Sequence, residues 1–304
     1  MGGGRIPATG ARVSNPGTLR SNADGKGFLP TDPLGRDKPG EFVRHQKLAV
    51  ENSTAGSSTA IAAALRSKNP QIFAALASKG IGTTEFGASN ADNFSNNNFD
   101  VTFPEEKIYD RSSLTYHKYG VLTYLGPVDQ LKGITKQFVI MEVLEGRYSY
   151  PGPGIVPVKA NFKGPSSVYA VTPASAGADA IGMSKNLDDP TKYIYRVGVI
   201  EQARVPDGVL NITTEDHDVY PGTIRRTAVE VDRQLFIFTG GAGINRYHDT
   251  GTGWIPYLPP WVSAGRGGGQ IGVAAANDVF GAQAFRTLDR QAVKYVNSIR
   301  NGSK

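Results

Sequence analysis

The chain of 304 residues contains no cysteine. That absence removes disulfides, thiol nucleophiles, zinc–thiolate sites and iron–sulfur clusters together, and it leaves the redox compartment open. No run of 18 apolar residues occurs, so no segment has the make-up of a membrane-spanning helix. Arg5 is followed by no apolar stretch, so the first residues lack the form of a secretory signal. The chain is expected to be soluble, without membrane insertion; its location is otherwise unknown. Aromatic residues make up 9% and hydrophobic residues 39%, lowish for a compact enzyme. The catalytic signatures GxSxG and HExxH are missing as well.

Glycine (37) and proline (19) are plentiful, above the roughly 12% usual for the pair. They crowd the opening "MGGGRIPATGARVSNPGTLRSNADGKGFLPTDPLGRDKPG", where 14 of 40 residues are Gly or Pro and no apolar period runs. Such a segment cannot bury enough apolar surface to offset its ordering entropy, so it is expected to take shape only against another molecule. We read residues 1–48 as an extended basic arm.

Net charge is +6, and the excess sits at the ends. Residues 1–50 hold Arg5, Arg12, Arg20, Lys26, Arg36, Lys38, Arg44 and Lys47 against Asp24, Asp32, Asp37 and Glu41. The last 20 residues hold Arg286, Arg290, Lys294, Arg300 and Lys304 against Asp289 alone. Basic ends meet acidic surfaces, whether of protein or of nucleic acid.

After the arm, residues 49–86 read as a helical hairpin. Ser57 or Ser58 caps a helix ending near Ser67, and Asn69, Pro70 and Gly80 bracket a second. Ile61, Leu65, Ile72, Phe73 and Leu76 give it a modest apolar face. The Asn-rich stretch 87–99 reads as a linker, because Asn side chains compete for backbone hydrogen bonds. Residues 100–245 have β texture. "LTYHKYGVLTYLG", "QFVIMEVLEGRYSY", "SSVYAVTP", "KYIYRVGVIEQA", "GVLNIT", "TIRRTAVEVD" and "QLFIFTGG" read as strands separated by turn signals. Their spacing suits an antiparallel sandwich or barrel rather than βαβ units. Residues 246–304 hold a Trp/Pro-rich ribbon, "TGWIPYLPPWV", then an amphipathic helix from about Asp278 to Ile299. That helix repeats Val279, Ala282, Phe285, Leu288, Ala292, Val296 and Ile299 at three- and four-residue steps. The fold class is therefore mainly β, with a helical hairpin, a C-terminal helix and a long extended arm.

Chemistry-bearing patterns are sparse. "FIFTGGAGINRYHD" places glycines after a strand without the GxGxxG spacing and without a following helix, so a tight turn explains it. "GRGGGQIG" (residues 265–272) carries no Lys-Ser/Thr pair and reads as a hinge before the last helix. Glu215, Asp216, His217 and Asp218 are neighbours on a turn, where side chains diverge rather than converge on one ion. The four histidines, His45, His117, His217 and His248, lie far apart, and no nucleophile is marked beside His248–Asp249. Lys192, Tyr193, Tyr195 and Arg196 interleave aromatic and basic residues as nucleic-acid-binding sheets do, although Tyr193 and Tyr195 share a face and suit packing. No metal, cofactor or catalytic set emerges.

"YIYRVGVIEQA" followed by "AVEVDRQLFIF" resembles the mono-ADP-ribosyltransferase toxins. The resemblance implies that Arg196 grips NAD and that Glu230 and Asp232 stand where the family has a Glu-x-Glu pair. A Ser-Thr-Ser strand between them is missing, and the second acid is Asp. Plain alternation, with Val229 and Val231 inward, yields the same pattern.

The order of parts is that of a structural subunit in a large assembly, in which arms extend over neighbouring copies. A virion component (capsid, neck or tail) is the leading expectation. The alternatives are a linker polypeptide threading a ring-shaped complex and an enzyme of the ADP-ribosyltransferase kind. The expected partners are copies of itself or other subunits. Arg5, Arg12, Arg20, Trp254, Tyr257, Trp261, Arg286 and Arg290 are the candidate contact residues, since Arg and large aromatic side chains anchor interfaces.

Overall fold

Most of the strand segments between residues 84 and 244 pair into one antiparallel sheet. The computed structural model describes residues 19–20, 29–30, 40–55, 58–68, 84–89, 103–111, 116–152, 156–171, 194–214, 217, 220–244 and 268–302. In chain order the elements are β1 (Leu19–Arg20), β2 (Leu29–Pro30), α1 (Glu41–Ala55), α2 (Ser58–Lys68), β3 (Thr84–Ser89) and a short 3-10 segment, Pro104–Ile108. Then come β4 (Tyr116–Pro127) and α3 (Lys136–Phe138), which runs on into a π-helical segment, Val139–Glu145. β5 (Tyr150–Pro151), β6 (Pro157–Val158), β7 (Ser166–Val171), β8 (Ile194–Val205), β9 (Gly208–Thr213), β10 (Gly222–Val231), β11 (Gln234–Ile244) and the helix α4 (Gly268–Arg300) complete the order.

Seven strands form the main sheet in the order β3-β4-β11-β10-β9-β8-β7, and β1-β2 and β5-β6 are separate small ribbons. The mainly β, antiparallel class with helices holds. Among the described residues, however, its covering layers are helices and not a second large sheet. Alternation sorts the side chains onto two faces. Leu122, Tyr124, Leu210, Ile212, Val229, Phe236 and Phe238 join Ala49, Ile61, Leu65 and Phe103 in one core, so α1, α2 and the 3-10 segment cover that face. Val209, Ala228, Leu235 and Ile237 pack with Val139, Val143, Leu144, Ala292, Val293 and Val296 on the other. Tyr119 and Val121 meet Ala282, Phe285 and Leu288 beside them, so α4 and the π segment cover this face. With both faces covered, β9 is buried at every position.

Three readings of the sequence change. Residues 137–150, read as a strand, begin as helix. Thr135 caps that helix by accepting the Phe138 N–H, and Val139, Val143 and Leu144 turn inward while Met141 is exposed. A continuous apolar run fits a buried helix as well as a strand, and here the cap decides. The arm assigned to 1–48 overlaps α1, which starts at Glu41. Residues 268–272, read as part of a hinge, are the first turns of α4. The second helix of the hairpin and the Trp/Pro ribbon lie outside the described residues. β3 crosses the junction between the hairpin and linker assignments and is the edge strand of the main sheet.

The tight turns have clear local causes. Asp232 and Arg233 both have positive φ (49° and 61°) and close the β10–β11 hairpin between Val231 and Gln234. This left-handed pair matches the twist of the flanking strands. At the β8–β9 turn a Cβ on Gly208 would lie 1.9 Å from the Arg226 carbonyl oxygen, whereas one on Gly164 meets nothing within 4 Å. We expect Gly208→Ala to lower the unfolding free energy on the order of 4 kcal/mol in urea denaturation, and Gly164→Ala to change it by less than about 0.5 kcal/mol.

Candidate functional site

The sequence "TIRRTAVEV" puts two arginines side by side on β10, a strand covered on both faces. Alternation then forces one guanidinium into each layer, and both arginines are fully buried. Arg225 faces α1. Its Nη1 donates to Glu105 Oε1 at 2.8 Å, its Nη2 to the Ser53 carbonyl at 3.0 Å, and its Nε to Thr227 Oγ1 at 2.8 Å. Arg226 faces α4. It donates to Asp289 Oδ1 at 2.7 Å and to Thr239 Oγ1 at 2.8 Å, and its guanidinium lies 5.1 Å over the Phe285 ring. Thr123 donates to the other Asp289 oxygen at 2.7 Å. One carboxylate of α4 thus holds β4, β10 and, through Thr239, β11.

Burial raises the Glu105 carboxyl above its ordinary value, against the opposing charge of Arg225. Burial likewise lowers the Arg225 guanidinium, against the charges of Glu105 and Asp207. Next door, the fully buried Glu106 carboxylate takes Lys118 at 2.7 Å and a close contact from Arg111. Glu105, Glu106, Arg225, Arg226 and Asp289 are buried between the layers, where they hold elements together.

Two further clusters have the residue types of catalysis. Ser58, at the start of α2, accepts from Lys136 Nζ at 2.7 Å, and Lys136 pairs with Asp207 at 2.7 Å. Burial raises the Asp207 carboxyl, but the hydrogen bonds and charge from Lys136 and Ser58 outweigh it and hold the group below its ordinary range. The cluster fastens α2 and α3 to the β8–β9 turn. In the second cluster His45 Nε2 lies 2.9 Å from the Tyr109 hydroxyl, which donates to Thr223 Oγ1 at 3.3 Å. Burial lowers the imidazole pKa to about 3, so it is neutral.

The residues of the ADP-ribosyltransferase resemblance are not brought together. Arg196 pairs with Tyr169 near the start of β8, beyond the last β9 residue. Glu230 lies past the other end of β9, exposed, opposite Leu235. Following the strand register, the two positions are on the order of 30–40 Å apart at ~3.3 Å per residue. Asp232 is a turn residue whose carboxylate pairs with Arg66 at 2.6 Å. Of the candidate contact residues, Arg290 is exposed and Arg286 half-buried on α4, and Arg20 lies in β1. Arg5, Arg12, Trp254, Tyr257 and Trp261 lie outside the described residues. So do Glu215, Asp216 and Asp218, while His217 is buried. Among the described residues no group of three or more His, Asp or Glu is placed to hold a metal ion, and no helix is long and apolar enough to cross a membrane.

No protein-family model matches this chain, and no curated protein or solved structure is significantly similar to it. Its interpretation therefore rests on its own residues. Sequence reasoning missed Arg225, Arg226, Glu105, Asp289 and His45. Two adjacent arginines inside a strand apolar at both parities were the available signal, because at least one of them had to point into a covered face.

Removing one partner of a buried pair strands the other charge. Asp289→Ala should cost about 3–5 kcal/mol in urea denaturation at pH 7. Adding Arg226→Met should return much of that loss, since the guanidinium left without its carboxylate is then gone.

Proposed function

We propose that this protein is a structural subunit of a large multi-protein particle, with a virion component (capsid, neck or tail) the foremost case. Its Gly/Pro-rich basic segment and its C-terminal region tie it to neighbouring subunits. The observation that carries the reading is the contrast between its parts. Residues 1–40 hold 14 Gly or Pro and a basic excess, too little apolar surface for a core. They lead directly into α1, which is docked on a sheet whose deeply buried charges are occupied in fastening its own layers. A rigid body continued by a cationic segment poor in apolar residues suits attachment to an acidic neighbouring surface.

Light scattering on the full chain and on a variant lacking residues 1–40 tests this. At about 0.1 M salt the full chain should form assemblies several times its 32.4 kDa mass. Those assemblies should dissociate at about 1 M salt, where the screening length falls from ~10 Å to ~3 Å. The shortened variant should stay small while its far-UV circular dichroism is retained. A full chain that is monomeric at every salt concentration, alone and with candidate neighbouring subunits, contradicts the proposal.

A further inference from the structure

The two helical coverings of the sheet are attached by different means. The buried seam of α4 is oily, formed by Ala282, Phe285, Leu288, Ala292, Val293 and Val296. The fully buried positions of α1 are His45, Ala49 and Ser53, four residues apart, and they are small or polar. Phe42, Leu48 and Val50 contribute apolar contact only at the margins. What fastens α1 is a short set of polar contacts: His45 to Tyr109, Gln46 to Glu201, and the Ser53 carbonyl to Arg225. The ring at the centre of this seam is wedged between Tyr109 and Tyr220, with centroids 6.0 and 5.5 Å away.

We propose that α1 is an acid-released latch, closed on the sheet at neutral pH and lifting away when the surroundings turn mildly acidic. Of the groups that fasten α1, only His45 has an ordinary titration range in mild acid. The groups presented to its seam are Glu105, Glu106 and Tyr109 from the 3-10 region, Glu201 from β8, Thr223 and Arg225 from β10, and Tyr220. Glu105 is engaged by Arg225, Glu106 by Lys118, and Glu201 by Gln46. The His45 ring is fully buried with the Tyr109 and Tyr220 rings beside it, so a proton on it places a charge out of reach of water.

In the closed seam the imidazole titrates near about 3, against 6.5 for an imidazole in water. The contribution of neutral His45 to closure is thus complete above pH 6.5 and is lost as pH falls from 6.5 toward 3. Each unit below 6.5 multiplies the open-to-closed ratio about tenfold, or roughly 30-fold at pH 5 relative to pH 7.5. Glu105 acts in the opposite sense, because its raised pKa makes the closed seam bind protons more readily. A test must therefore isolate His45. The inference is independent of the assembly proposal: an α1 that opens in acid in a permanently monomeric protein leaves the latch standing.

Hydrogen–deuterium exchange of the full chain, corrected for the intrinsic pH dependence of exchange, tests the latch. Between pH 7.5 and 5.0 the protection of residues 41–55 should fall roughly 30-fold while α4 keeps its own. In His45→Gln and His45→Asn the fall should vanish. If both variants have already lost α1 protection at pH 7.5, the wild-type chain decides. A slope near tenfold per pH unit between pH 6 and 5, confined to α1, supports the latch. A flat profile, a loss shared equally with α4, or an acid-side fall in protection that persists in the neutral variants overturns it.

Discussion

Two guanidinium groups on consecutive residues of one covered strand set the constraint on which the rest of this structure depends. Neither Arg225 nor Arg226 can reach water, so each layer laid over the sheet must bring a carboxylate to β10. Glu105 does so on one side and Asp289 on the other. Buried ion pairs add little net stability compared with apolar packing, because desolvation offsets most of the attraction. What they do impose is position. The α4 helix cannot slide by a turn along the sheet without separating Asp289 from Arg226 and Thr123 together. The 3-10 segment and α1 are similarly indexed by two contacts of Arg225, to Glu105 and to the Ser53 carbonyl.

The two sides nevertheless differ in kind. Under α4 the pair is embedded in an aromatic and aliphatic seam, with Phe285 beneath the Arg226 guanidinium and stacked near Tyr119. Under α1 polar contacts carry much of the attachment, among them the Ser53 carbonyl on Arg225, since His45, Ala49 and Ser53 offer little oil. The α4 face is therefore the permanent one, and the α1 face is the one from which a covering element can be released.

Much of the sheet was legible in the chain. Strands β8 to β11 show alternation interrupted by "VPDG" and "VDRQ", and the structure turns at both places. Ile61, Leu65, Phe285, Leu288 and Val296 were recognisable as inward-facing because helical spacing left no other outlet for them. The π segment was not legible, because the four consecutive apolar residues Phe138 to Met141 hide its period and only the capping contact of Thr135 marks a helix start. The charged centre was hidden for a related reason. A charge in a strand is ordinarily sent to solvent, and only tertiary covering of both faces denies it that outlet. Glu230 and Asp232, which alternation placed outward, are exposed, but one stands beyond the end of β9 and the other serves a hairpin turn.

The central claim is that each layer is held in place by its own arginine. Amide exchange in Glu105→Gln and Asp289→Asn, which keep side-chain shape while removing one charge each, tests it most directly. Glu105→Gln is predicted to accelerate exchange in residues 41–55 and 103–111 while leaving α4 unchanged, and Asp289→Asn to do the reverse. If either substitution loosens both layers equally, or if neither loosens its own, the claim is contradicted.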